Sequence, residues 1–348
     1  MFGAPCDPPL TIGFLLVPNF SMMAFASAIE PLRSANRQSG AELYRWRLFS
    51  TDGGPVVASN GIEVMPHLSI KAAEPIKAAV VCAGIDVEQY NNRAVFAWLR
   101  RLASAGCDIG AVSTGAYVLA RAGLLDGRRC ALHWENAPAF ADAFPNISVS
   151  SEIFVIDGNR FTCSGGTAAL DLMLHLIKMQ HGHGLATAVS EQFIHGQIRD
   201  HADPQRMPLR ARIGVAHPKL LSAVAAMESS VDAPRSTAAL ARQARVSPRQ
   251  LERLFRKYLG CTPTQYYLEV RLARARQLLT QTSQSILDVA LACGFVSASH
   301  FSKTFRTHFG VSPRETRRRF EPPAARGPAD IAEPRATAAR QVTRKVMS

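Results

Sequence analysis

The sequence predicts two folds in series. An α/β N-terminal domain, a parallel sheet with helices on both faces, precedes an all-α C-terminal domain holding two helix-turn-helix units. Three observations carry this expectation. Short apolar runs alternate with longer segments of helical period over the first part of the chain. An 18-residue pattern recurs fifty residues further on. Positive charge gathers in the same stretch as the repeat.

Taken in order, "TIGFLLVP", "RWRLFSTDGG", "AAVVCAG" and "DIGAVST" read as strands separated by helices, the pattern of a parallel sheet covered on both sides. "SSEIFVIDGNRFTCSGG" reads as a hairpin turning at Asp157-Gly158-Asn159. "TAALDLMLHLIKMQ" and "LATAVSEQFIHGQI" carry apolar residues at spacings of three and four and are expected as helices, buried in the core or forming a dimer interface. "RDHADPQRMPLRARIGVAHP" has no assignable period and is expected as the linker. The expected division is 1–200 for the first domain, 201–218 for the linker, 219–320 for the second domain and 321–348 for a disordered tail rich in Pro, Ala and Arg.

Composition narrows the function classes. The chain has 348 residues, too many for one small core, and 47% of them are hydrophobic. No apolar run approaches the roughly 20 residues of a membrane span, and no basic-then-apolar leader opens the sequence. A soluble, cytoplasmic protein without a membrane partner is expected. The seven cysteines are scattered singly, which predicts neither a disulfide framework nor a metal site, and no cofactor is expected. Net charge is +13, unevenly spread: residues 236–320 hold 15 Lys/Arg against 4 Asp/Glu, whereas residues 1–235 hold 20 of each. One end of the chain suits a polyanion.

The repeat shows how that charge is displayed. "VSPRQLERLFRKYLGCTP", Val246 to Pro263, and "VSASHFSKTFRTHFGVSP", Val296 to Pro313, share Val-Ser, Phe-Arg, Gly and Pro. Upstream, "TAALARQAR" and "ILDVALACGF" match at an offset of 49, so the second copy has one extra residue near Gly294. The two units are expected at about 236–258 and 285–309. Ser247 and Ser297 stand where a helix N-terminus takes a cap, and Pro248 falls in a first turn, where its missing N–H costs nothing. Leu251, Leu254, Phe255 and Tyr258 share one helical face, as do Phe301, Phe305 and Phe309. The opposite faces carry Arg249, Gln250, Arg253 and Lys257 in one copy and Ser299, His300, Lys303 and Arg306 in the other, groups able to reach base edges or phosphates. "YYLEVRLARARQLL" reads as a long helix spacing the two units for successive major grooves of double-stranded DNA, roughly 34 Å apart.

The motifs "RLARARQLL" and "ILDVALACGFVSASHFSKTFRTHFGVSPRETRR" make this region, from about Lys219, resemble the AraC/XylS-type DNA-binding domain. The first part resembles the class I glutamine amidotransferase-like, PfpI-type domain through "GFLLVPNFSMMAFASAIEPLR", "STGAYVLARAGLLDGRRCALHW" and "CSGGTAALDLMLHLI". The resemblance implies a flavodoxin-like fold with a ligand-sensing role, fused to a DNA-binding domain. It also implies that a cysteine at the strand-to-helix elbow, a histidine and a carboxylate from the first helix would form an enzyme site. Ser113, His133 and Glu30 stand at those positions here.

The serine is a departure with chemical weight. A cysteine can populate its thiolate near neutral pH at a helix N-terminus, whereas a serine hydroxyl needs a tightly coupled base and an oxyanion hole. The GxSxG pattern is also incomplete, with Ala111 two residues before Ser113 and Gly115 two after. The expectation is a pocket without chemistry. Ser113, Thr114 and Gly115 would bind an anionic group, and Glu30, His133, Trp134 and Glu135 would line the rest. Core packing of Trp134 and a satisfied buried imidazole at His133 compete with that reading.

The branch this chain resembles implies effectors derived from amino acids, such as glycine betaine, carnitine or arginine, and a zwitterion with its cation near Trp134 suits those residues. The expected function is a sequence-specific transcriptional activator that acts as a homodimer with RNA polymerase. Two alternatives remain: an amidase or other hydrolase using the elbow residue, and a ligand-independent architectural DNA binder.

Overall fold

The computed structural model describes Gly3 and residues 7–282 and 284–320. The tail expected to be disordered, 321–348, lies outside the described residues. The N-terminal half is built on β1 (Leu10–Leu16), β2 (Tyr44–Ser50), β3 (Val56–Val57), β4 (Glu63–Val64), β5 (Leu68–Ser69), β6 (Ala78–Cys82), β7 (Asp108–Val112), β8 (Arg129–Ala131), β9 (Ser148–Ser150), β10 (Phe154–Asp157) and β11 (Arg160–Cys163). Its helices are α1 (Met22–Ser39), α2 (Arg93–Ser104), α3 (Ala116–Arg121), α4 (Ala137–Ala143), α5 (Ala168–His181) and α6 (His183–Gln192).

Seven strands form one sheet in the order β10-β11-β7-β6-β1-β2-β5, and every neighbouring pair is parallel except the β10–β11 hairpin. The central strand β6, "AAVVC", is buried along its whole length because helices cover both faces. Residues of α1, α5 and α6 build the core on one face and residues of α2, α3 and α4 the core on the other. The apolar stripes of α5 and α6 are thus used within the chain.

Two local expectations change. The hairpin pairs Asp157 with Arg160, which leaves Gly158-Asn159 as a two-residue turn with Gly158 at φ 63. The helix expected across "LATAVSEQFIHGQI" stops at Gln192, and Ile194 takes φ 54. The cause is Asp171, which is fully buried on α5. It accepts from His195 Nε2 at 3.0 Å, from the Arg199 backbone N–H at 2.8 Å, and from Arg199 Nε and Nη2 at 2.9 and 2.7 Å. A buried carboxylate without partners is so costly that the chain gives up its helical period to supply them.

The rest is helical: α7 (Leu209–Ile213), α8 (Pro218–Glu228), α9 (Thr237–Gln243), α10 (Pro248–Leu259), α11 (Pro263–Gln281), α12 (Ile286–Ala292), α13 (Ala298–Phe309) and α14 (Pro313–Phe320). The segment without sequence period contains α7, held by Arg212, which donates to both carboxylate oxygens of Glu228 at 3.0 and 2.7 Å. Two small cores follow, one per repeat. The first joins α8, α9 and α10 to Tyr267, and the second joins Leu272, Ala275, Leu278 and Leu279 to α12 and α13. The single helix α11 therefore belongs to both.

Serine caps recur at Ser236, Ser247, Ser285 and Ser297, each accepting a backbone N–H in the first turn of its helix. In the turns, Arg245 at φ 54 and Gly294 at φ 69 hold equivalent positions. Gly294 has a second constraint, since a Cβ there would fall 2.4 Å from Pro234 Cγ and 2.8 Å from the Val231 carbonyl oxygen. The residue inserted after it, Phe295, is 2% exposed and lies under the Arg271 guanidinium at 4.2 Å. No helix of the described residues is long and apolar enough to cross a membrane.

Candidate functional site

The second helix of each repeat exposes the polar residues singled out in the sequence. Arg249, Gln250, Arg253 and Lys257 on α10 are exposed, as are Ser299, His300, Lys303 and Arg306 on α13. Beneath them Leu251, Phe255, Phe301 and Phe305 are fully buried, so the amphipathic pattern fixes which side faces out. Two details differ from the sequence reading. Tyr258 is 37% exposed and rests against the His217 ring at 5.6 Å, at the rim of the apolar face. Gln250 is engaged in a capping box, its Oε1 accepting the Ser247 N–H at 2.9 Å while Ser247 Oγ accepts the Gln250 N–H at 3.2 Å.

The elbow lies where β7 ends and α3 begins. Ser113 sits there at φ 61, a conformation that L-residues rarely adopt and that the surrounding structure must enforce. Two glycines allow it. A Cβ on Gly115 would fall 2.5 Å from the Val81 carbonyl oxygen, and one on Gly165 would fall 2.7 Å from Ser113 Cα. Ser113 is 7% exposed, and the Thr114 hydroxyl is spent on the Gly84 carbonyl at 2.6 Å. Among the described residues, neither His133 nor Glu30 is hydrogen-bonded to Ser113. His133 Nδ1 accepts the Glu135 backbone N–H at 3.4 Å, and Glu30 accepts from Arg33 Nε at 2.7 Å.

No described cysteine compensates for the serine. Cys163 lies beside the elbow, its Sγ accepting the Gly165 N–H at 3.3 Å, but burial pushes its thiol up to about 12. Burial likewise pushes the thiols of Cys107, Cys130 and Cys293 up to about 12 and raises those of Cys82 and Cys261. These groups stay protonated near neutral pH, and a thiol is a poor nucleophile.

The seven residues expected to line a ligand pocket make separate contacts. Ser113, Thr114 and Gly115 form the elbow, and Glu30 is engaged along α1. Trp134 and Glu135 border a groove shared with Arg206 and α11. The Arg206 guanidinium sits 4.4 Å from the Trp134 ring, and the Glu135 carbonyl accepts from Gln277 Nε2 on α11. His133, between them, is held below its ordinary value by desolvation, which the nearby Glu135 carboxylate partly opposes. Sequence reasoning missed a cavity of about 590 Å3 between the halves, bordered by Tyr117 and Asp142 on one side and by Gln281, Gln284 and Arg317 on the other. No motif marks these residues, because they meet only after both domains have folded.

Comparison with known proteins agrees with this division. The DJ-1/PfpI family matches residues 12–179, and the helix-turn-helix domain family matches residues 240–319. The chain is 50% identical over 309 residues to the HTH-type transcriptional regulator GbdR of Pseudomonas aeruginosa, covering 89% of this chain and 84% of that one. It is 50% identical over 307 residues to the HTH-type transcriptional regulator CdhR of the same organism, covering 87% of this chain and 90% of that one. The crystal structure of an AraC family transcriptional regulator from Pseudomonas putida matches 53% of this chain and all of that chain, at 29% identity and a TM-score of 0.49.

Proposed function

The chain belongs to the family of HTH-type transcriptional regulators that join a DJ-1/PfpI domain to an AraC-type DNA-binding domain, and on that premise we propose that it is an effector-responsive activator whose elbow binds rather than reacts. The observation that carries this reading is the elbow itself. Its geometry is retained at Ser113, while the side chain is shielded and uncoupled from a base, and the neighbouring Cys163 thiol stays protonated. In this reading the elbow receives an anionic group of a small effector without a reacting side chain. The effector is an amino-acid-derived zwitterion or a quaternary amine.

Activation is a population shift. The effector stabilises one arrangement of the N-terminal domain relative to α11, and that arrangement frees α10 and α13 to occupy adjacent grooves as a homodimer that engages RNA polymerase. Only a ligand with different affinity for the two arrangements can do this.

The test is a promoter reporter with DNA-binding measurements on the purified chain, with and without a panel of small zwitterions, for the wild type and Ser113→Ala. Activation by an unconsumed compound, with DNA binding retained in Ser113→Ala, is the expected result. Turnover of a panel compound that disappears in Ser113→Ala would make the protein a hydrolase instead. DNA binding and transcription unaffected by any compound would leave an architectural role.

A further inference from the structure

Four buried polar side-chain atoms without a hydrogen-bond partner surround the cavity between the two halves. They are the Tyr117 hydroxyl on α3, Oε1 of Gln281 at the end of α11, Oε1 of Gln284 before α12, and Nε of Arg317 on α14. Among the described residues, the other two such atoms belong to Gln205 and His217, so this cavity collects most of them. Leaving one buried polar atom unpaired is costly, and four around one space of about 590 Å3 make that space a site for something that pairs with them.

The other groups at the wall restrict what fits. Arg121 borders the cavity, but its guanidinium donates to the carbonyls of Val87, Glu88 and Tyr90. The Glu88 carboxylate accepts from Asn136 Nδ2 at 3.0 Å. Gln284 is oriented from both ends: its Nε2 lies 3.4 Å from Asp142 Oδ2, and its backbone carbonyl accepts from Arg317 Nη2. Its Oε1 is thereby left to the cavity. The unmet needs are N–H donors for the two glutamine oxygens, beside the Asp142 carboxylate, and an acceptor for Arg317 Nε and the Tyr117 hydroxyl. Glu88 and Asp142 balance Arg121 and Arg317, so a net charge on the occupant has no counterpart.

We propose that this cavity binds a small zwitterion bearing both N–H donors and a carboxylate, of the class of the free α-amino acids, and that the bound molecule clamps the second helix-turn-helix unit to the N-terminal domain. The ammonium group meets Gln281, Gln284 and Asp142, and the carboxylate meets Arg317 and Tyr117. A quaternary ammonium cannot donate and would leave both glutamine oxygens unpaired. The site is near the elbow in sequence, since Tyr117 in the first turn of α3 follows Ser113 by four residues. A ligand here touches α3, α11 and α14 together. The regulatory consequence, though not the binding itself, rests on the sensory reading above.

The test uses the purified full-length chain and thermal unfolding with glycine, L-alanine, L-glutamine and L-arginine, against acetate, methylamine and trimethylglycine as probes that lack one half of the chemistry. Variants are Tyr117→Phe, Gln281→Leu and, as an elbow control, Ser113→Ala. Tyr117→Phe removes a hydroxyl with no partner and keeps the ring against Phe140, so its ligand-free melting point should match or exceed that of the wild type. At least one amino acid at about 100 times its Kd should raise the melting point by ~5 °C. Acetate and methylamine should not, and any shift with trimethylglycine should be weakened in Ser113→Ala and unchanged in Tyr117→Phe. Affinity should fall at least tenfold in Tyr117→Phe and Gln281→Leu and hold in Ser113→Ala. No shift with any amino acid, or an amino-acid shift that survives in Tyr117→Phe, overturns the proposal. A promoter reporter separates the two readings. An effector response that persists in both cavity variants rejects the clamp as the regulatory device and keeps the elbow sensor. Amino-acid binding here with no transcriptional response keeps the site and rejects its regulatory role.

Discussion

The first helix-turn-helix unit packs its core against α8 and meets the long helix α11 through Tyr267, whereas the second unit packs against the body of α11 and reaches back to the N-terminal half through Gln284 and Arg317. Their outward faces differ in the same sense. The helix α10 carries Arg249, Arg253, Arg256 and Lys257, while α13 carries Lys303 and Arg306 with two histidines. One copy is the more strongly charged towards a polyanion and the other is the one in contact with the N-terminal half. Two copies of one scaffold thus differ in exposed charge and in what they pack against.

The largest effect should come from the two cores. Phe255→Ala and Phe305→Ala each remove a fully buried ring and should cost about 3–5 kcal/mol in chemical denaturation. If the units are as separate as their cores, each variant should lose its own helical unit first, leaving the other unit's amide protection in hydrogen exchange intact. Joint loss of protection would mean that α11 transmits the damage.

Next is the reading of DNA. Arg253→Ala should cost about 1–3 kcal/mol of affinity for a specific site, with a smaller loss for Lys303→Ala, in titrations at fixed salt. Equal losses on specific and random DNA would identify phosphate contacts and remove the asymmetry between the copies. Gln250→Ala should act mainly on stability, at about 0.5–1 kcal/mol, because its side chain closes the capping box. A loss of base preference at constant stability would return Gln250 to base reading.

The smallest effect belongs to the N-terminal half. Burial holds His133, His175 and His181 below the ordinary histidine value. A depressed value means that the unfolded chain binds the proton more tightly, so stability is present above pH 6.5 and declines as the pH falls towards the folded values. Melting at pH 5.5 should begin earlier than at pH 7.5, with the N-terminal half leading. A His175→Gln variant should flatten that difference.

Much of this was legible in the sequence. The repeat, the serine caps and the apolar faces of α10 and α13 depend on residues close along the chain, and they appear where local spacing puts them. The strand order could be anticipated only as a class, because pairing of β1 with both β2 and β6 is decided by packing across the sheet. The early end of α6 was invisible, since its helical period is sound and only the burial of Asp171 overrules it. The elbow was found by likeness, but the contact of the Glu135 carbonyl with α11, a helix more than a hundred residues away in sequence, was not foreseen.

The sequence alone determined that the chain has a charge-balanced α/β half and a basic duplicated half, because periodicity, capping and charge are properties of neighbouring residues. Only the tertiary structure decided what lies between the halves. Tyr117, Gln281, Gln284 and Arg317 are unremarkable within their own helices and turns, and they acquire meaning when folding removes them from water and leaves their polar atoms facing one another across a single cavity.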